Sequence, residues 1–250
     1  MTVMQAVETR ISRRSFTNNP IPPALVAQLD ENIAVVNKLG GLSIRFVQDG
    51  SGAFARLSHT YGLLTGVKSV ISLAGPAEDP FLHEKLGYFG ELLVLSATRM
   101  GLATCWVGGS FDKEYPLYQL HPFEKQVCVV AVGFAPKELT AREKIVRKAL
   151  HRANKPMEAL YEADEPPPEW FMAGIYAVSK APTARNLHPT RFIWKESSVF
   201  VQNEARFSYQ KIDLGIVKAH FSLGAGGRFE PGEGSVFIKE NHQLAAWPFD

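Results

Sequence analysis

The stretch Ala181-Pro182-Thr183-Ala184-Arg185-Asn186-Leu187-His188-Pro189 decides how this chain reads. It follows a helical pattern and is built from proline, small residues and one asparagine. Small side chains let a flat ring come close to the backbone. An asparagine amide offers both a donor and an acceptor to the edge of a heterocycle. Taken alone, the same residues also suit an ordinary loop that stops a helix.

Two other segments raise its weight. Arg13-Arg14-Ser15 lies before the proline-rich turn at Pro20 to Pro23. Two guanidiniums with forked donors and one hydroxyl suit a phosphate, although a charged terminus looks similar. Gly101-Leu102-Ala103-Thr104-Cys105-Trp106-Val107-Gly108-Gly109 follows a long apolar segment. Its paired glycines either bring a ligand near the backbone or form a turn.

Between these segments the periodicities alternate. Ala24 to Lys38 has apolar residues at helical spacing, with proline at its start and Gly40-Gly41 at its stop. Ile44 to Val47 and Val67 to Leu73 read as strands. Glu84 to Met100 reads as a central helix apolar on most faces, and Val127 to Val132 as a buried strand. The chain becomes charged from about Pro136 to Glu165, with Arg142, Lys144, Arg147, Lys148, Arg152 and Lys155, and this reads as a solvated crossover. The later part reads as a repeat of the earlier one. Pro22-Pro23 precedes a helix and then Arg45-Phe46-Val47, as Pro167-Pro168 precedes a helix and then Arg191-Phe192-Ile193. Leu86-Gly87 is followed by Leu95 and Ala97 at the offsets with which Leu214-Gly215 is followed by Leu223 and Ala225.

Composition narrows the function classes. The 250 residues carry a formal charge of only +2, so the basic excess of a nucleic-acid binder is missing. Two cysteines, each in an apolar run, read as buried thiols rather than a disulfide. No apolar run approaches the roughly 20 residues of a membrane helix, and Met1 to Arg14 has no signal-peptide core, so the cytoplasm is the expected location. The G-x-G-x-x-G, P-loop, H-E-x-x-H, C-x-x-C and G-x-S-x-G patterns are all missing, so no metal site is expected.

Together the segments resemble the FMN-dependent nitroreductase family. Ile11-Ser12-Arg13-Arg14-Ser15-Phe16 is similar to its N-terminal motif, Leu86 to Gly109 to its central helix and flavin loop, and Val130-Ala131-Val132-Gly133-Phe134 to its next strand. Ala181 to Pro189 is similar to its A-P-S-x-x-N-x-Q-P loop. In the family that loop comes soon after the arginine motif; here it follows about 170 residues later, in the apparent repeat. The resemblance therefore implies the fused, single-chain branch. Its expected fold is α+β, a nitroreductase-like α/β sandwich of two degenerate half-repeats forming an intrachain pseudo-dimer. The halves would be 1–140 and 166–250, with a linker at 141–165, and the chain a monomer.

The resemblance also implies residue roles. Arg13, Arg14 and Ser15 would hold the FMN phosphate, with Arg147 reaching it as well. Val107, Gly108 and Gly109 would lie against the flavin ring. Pro182, Thr183, Ala184 and Asn186 would line the ring and ribityl chain, giving one composite site. Electrons would pass from NAD(P)H through flavin to a small organic acceptor such as a nitroaromatic or quinone, with no catalytic side chain. Three positions depart from the pattern. Thr17 stands where many relatives have Lys or Arg, for which Lys68 or Arg185 are candidate substitutes. Thr183 replaces a serine, and His188 a glutamine. A non-catalytic or weakly flavin-binding module remains the alternative function.

Overall fold

The computed structural model describes residues 1–55, 64–150, 155–204, 207, 209–232, 235–240 and 246–249. Its elements are mixed helix and mainly antiparallel sheet, the α+β class. They group into two compact units that interleave along the chain. One comprises Arg10–Leu82 and Leu93–His151, the other Met1–Thr9, His83–Leu92 and Arg152–Asp250.

The first unit is built on a four-stranded antiparallel sheet. Strands β1 (Arg45–Val47), β2 (Ser69–Pro76), β3 (Ala103–Val107) and β4 (Glu124–Gly133) lie in the order β1-β2-β4-β3. Its core collects Val70, Cys105, Val107, Phe111, Tyr118, Val129 and Ala131. Both cysteines are buried and free. Helix α2 (Pro23–Gly40) starts at a proline, where the missing N–H costs nothing. It stops at Gly41, whose φ of +62° is the left-handed cap that glycine adopts without strain.

The other unit has an aromatic core, in which Phe192 stacks on Phe221 at 4.6 Å and Phe171 meets Phe221 edge-on. Strand β5 (Tyr161–Ala163) pairs parallel to β6 (Thr190–Lys195), which pairs antiparallel to β7 (Ser198–Asn203); β8 (Gly227–Phe229) and β9 (Phe237–Lys239) form a two-stranded ribbon. Helix α3 (Leu82–Arg99) passes through both units. Its segment in this unit packs on α6 (Gln210–Ala225), where the matched glycines of the apparent repeat meet. A Cβ on Gly87 would come within 2.1 Å of the Ile212 carbonyl, and one on Gly215 within 1.9 Å of the Glu84 carbonyl. The Leu-Gly pairs are thus the close-approach points of two helices. That contact leaves α6 deeply buried, with Lys218 and His220 facing inward. Each side chain finds a carboxylate on α3: Lys218 Nζ lies 2.6 Å from Glu84 and His220 Nε2 3.0 Å from Glu91.

Residues 141–165, expected as a linker, carry helix α4 (Ala141–Leu150), a 3-10 turn and β5. The N-terminal segment contains α1 (Val3–Thr9), which buries Val3, Ala6 and Val7 at helical spacing. Helix α5 (Glu169–Ser179) follows Pro167-Pro168. Among the described residues no helix is long and apolar enough to cross a membrane, and no cluster of metal-ligating side chains occurs.

Candidate functional site

The arginine motif is fixed by its main chain. Ser12 forms a parallel bridge with Thr104 at the start of β3, and the Arg13 N–H donates to the Thr104 carbonyl at 2.9 Å. On the following residues the Thr65 N–H donates to the Arg14 carbonyl and the Phe16 N–H to the Thr65 carbonyl, both at 2.9 Å. The N–H groups of Arg14 and Ser15 remain, and both donate to one atom, Glu143 Oε1, at 2.7 and 3.2 Å.

Glu143 gathers more than these two. Arg13 Nε donates to Oε1 at 3.0 Å and Nη2 to Oε2 at 3.2 Å. Arg13 Nη1 also donates to the Pro136 carbonyl at 2.9 Å, and Nη2 to the Glu138 carbonyl at 3.0 Å. At the start of α4, the Thr140 N–H donates to Glu143 Oε2 at 2.9 Å, and the Glu143 N–H donates back to Thr140 Oγ1 at 3.2 Å. This reciprocal pair is a capping box, T-x-x-E, which satisfies two otherwise orphaned helix donors. Ser15 Oγ lies 3.0 Å from the same threonine hydroxyl. Burial alone would raise the Glu143 pKa. The hydrogen bonds from Arg13 and from the Thr140, Arg14 and Ser15 N–H groups outweigh it and hold the carboxyl at about 2. So the donors suited to an anion do converge at Arg13-Arg14-Ser15, and an internal carboxylate receives them.

The remaining expected residues of this unit lie nearby in chain and strand. Val107 ends β3 and its side chain belongs to the core. Gly108 and Gly109 follow it and are exposed; no atom lies within 4 Å of where a Cβ would sit on either. Four residue steps along β3, roughly 13 Å, separate Thr104 from Gly108, on the scale of a mononucleotide. The buried Thr17 Oγ1 has no hydrogen-bond partner among the described residues. Lys68 and Arg147 are exposed. An anion cradle, an orphaned hydroxyl and a bare glycine pair fit the phosphate and planar ring of FMN, with the cradle held by Glu143.

In the other unit, the Ala181–Pro189 loop is held in an uncommon conformation. Arg185, Asn186 and His188 have φ of 55°, 54° and 42°. Such left-handed non-glycine residues cost roughly 1–3 kcal/mol each and persist only where neighbours over-determine them. Here both oxygens of Asp213, in the first turn of α6, accept from the Ala184 N–H at 3.0 and 3.1 Å. Thr183 Oγ1 accepts from the His188 N–H at 3.1 Å, the Thr183 carbonyl from the Asn186 N–H at 2.9 Å, and the His188 carbonyl from Lys155 Nζ at 2.9 Å. Burial pushes the Asp213 pKa up to about 7, against the Ala184 N–H.

His188 is 3 % exposed. Its Nε2 lies 3.2 Å from Asn186 Oδ1, while its Nδ1 is buried without a partner among the described residues. Burial first, then the charges of Lys155 and His220, bring its pKa down to about 4, so the ring is neutral. Pro182, Thr183, Ala184 and Asn186 are half-buried. Arg185 is exposed.

Sequence reasoning missed Glu143 and Asp213. Glu143 carries a local signal, the Thr140-x-x-Glu143 pattern, hidden among the basic residues of that stretch. Asp213 carries none, since its partner Ala184 is 29 residues away.

Comparison with known proteins agrees with this architecture. A putative nitroreductase from Thermotoga maritima superposes with a TM-score of 0.63 at 20% identity, covering 95% of this chain and 92% of that one. An FMN-dependent nitroreductase from Clostridium difficile R20291 gives 0.44 at 16% identity, over 61% and 99% of the two chains. A nitroreductase with bound FMN from Bacteroides fragilis gives 0.40 at 14%, over 56% and 91%. Of these three, the first is close enough to establish the fold. No curated protein sequence matches the chain. Residues 2–225 match the family described as "Putative TM nitroreductase", and the chain therefore belongs to that family of oxidoreductases.

Proposed function

We propose that the chain is an FMN-dependent oxidoreductase that takes electrons from NAD(P)H and passes them to a small organic acceptor, such as a nitroaromatic or quinone. The observation that carries this reading is the pairing, along β3, of the Arg13-Arg14-Ser15 donor cradle with the bare Gly108-Gly109 backbone. Bound FMN would supply the electron-transfer chemistry that no side chain here provides.

The residues' own tasks follow. Arg14, Ser15 and the Thr17 hydroxyl bind the phosphate, with Arg13 engaged when Glu143 releases it and Arg147 nearby on α4. The main chain of Val107, Gly108 and Gly109 supports the ring. In the other unit, Pro182, Thr183 and Ala184 offer small surfaces to flavin, and Asn186 a donor and an acceptor. The neutral His188 brings no charge to that loop. The occupancy of the cradle by Glu143 also favours a second reading, a weak flavin binder.

The test is the visible spectrum of protein saturated with FMN and then desalted. One retained flavin per chain, bleached by NADH or NADPH under anaerobic conditions, is the expected result; a colourless protein overturns tight binding. Arg14→Ala and Asn186→Ala, measured separately, should each weaken FMN about tenfold or more if each removes one hydrogen bond to it.

A further inference from the structure

Glu143 does more than a capping box requires. The box needs one oxygen to accept from the Thr140 N–H, and Oε2 does so. The other oxygen is given wholly to the arginine motif, taking the Arg13 Nε and the Arg14 and Ser15 N–H groups. A guanidinium, two successive amides and a helix N-terminus make a donor set suited to phosphate oxygens. The carboxylate in it is 3 % exposed and comes from this chain.

We propose that Glu143 is a ligand-selectivity residue: its carboxylate stands where a ligand phosphate would and sets how strongly the chain prefers phosphorylated over unphosphorylated flavin. The proposal rests on the flavin reading above. A phosphate reaching Arg13 and the two amides has to displace Glu143, because both are anions and use the same donors. The displaced side chain has a cation to turn to. Arg147 is exposed and sits four residues further along α4, the spacing at which a glutamate meets a following basic residue. Unphosphorylated riboflavin makes no such demand, and its affinity is independent of Glu143.

The experiment titrates wild type, Glu143→Gln and Glu143→Asp with FMN and with riboflavin by flavin fluorescence, and with inorganic phosphate by thermal shift. The expected result is that E143Q binds FMN about tenfold or more tightly, with riboflavin held within about threefold. E143D keeps the charge and the fold on a shorter arm that cannot serve both oxygens, so its ratio falls between the two; it carries the test if E143Q does not fold. An unchanged or lower FMN-to-riboflavin preference in the folded variants overturns the proposal and leaves Glu143 a brace for Arg13. If no form binds flavin, inorganic phosphate decides: stabilisation of E143Q but not wild type supports the internal anion while the flavin reading falls, and stabilisation of neither sinks the proposal. Tight FMN binding by wild type that E143Q does not improve sinks the selectivity role and leaves the flavin function standing.

Discussion

Glu143 and Asp213 hold corresponding jobs in the two units and end in opposite states. Each is a buried carboxylate that accepts main-chain N–H groups from a loop expected to bind flavin. Glu143 takes the amides of Arg14, Ser15 and Thr140 and lies near pKa 2; Asp213 takes the amide of Ala184 and lies near 7. Both are desolvated. The difference is the Arg13 guanidinium at 3.0 Å and the number of amides. A single N–H does not offset the loss of water around a carboxylate, whereas a cation with three amides does. The first loop is thus locked by charge. The other is tied by a carboxyl that titrates near neutrality.

The comparison breaks most sharply at Arg13. Arg13→Met removes the cation and leaves Glu143 buried beside amides alone, the Asp213 condition. Breaking a buried pair from one side costs about 3–5 kcal/mol. Urea unfolding at pH 7 should show that loss. The Glu143 pKa should rise toward the Asp213 value, read as a stability deficit that shrinks as pH falls below 7. An R13M protein as stable as wild type would mean that the three amides suffice and that the contrast between the loops has another origin.

Much of this was legible in the chain. Helices α2 and α3 and strands β2 and β4 follow their apolar periodicity to within a few residues, because burial on one face or all round dictates the pattern. The Leu-Gly pairs that suggested a repeat turn out to be helix contact points. What was illegible is long-range polar pairing. Arg13 and Glu143 are 130 residues apart, and nothing local to Arg13 says that its donors face inward. The same holds for the loop at Ala184: its residues were readable as small and polar, but its left-handed backbone depends on Asp213 and Lys155, which lie elsewhere in the sequence. Helix α1 escaped notice because it is only seven residues long, too short for Val3, Ala6 and Val7 to stand out as a helical repeat.

A smaller effect separates the two carboxylates in acid. The Glu143 pKa is depressed in the folded state, so its stabilisation is complete above the unfolded value of about 4.3 and is lost as pH falls toward about 2. The loss amounts to about 3 kcal/mol. Thermal melts of wild type and E143Q should converge over that window. Parallel melts would show that the carboxylate gains nothing from its donors.

Asp213 and His188 sharpen the comparison further, because their contributions run in opposite directions over one pH window. The Asp213 pKa is raised, so its contribution is full below about 3.9 and is lost as pH rises to about 7. The His188 pKa is depressed, so its contribution is full above about 6.5 and is lost as pH falls to about 4. Between pH 4 and 7 the two nearly cancel, to within about 1 kcal/mol. Removing either partner exposes the other. Asp213→Asn should lose stability on acidification from pH 6.5 to 4, and His188→Gln should gain it, each by about 1.4 kcal/mol per pH unit at most. Denaturant midpoints across the window read both slopes. Equal slopes in the two variants would mean that burial does not set both groups, and the loop's near-neutral tie to Asp213 would lose its basis.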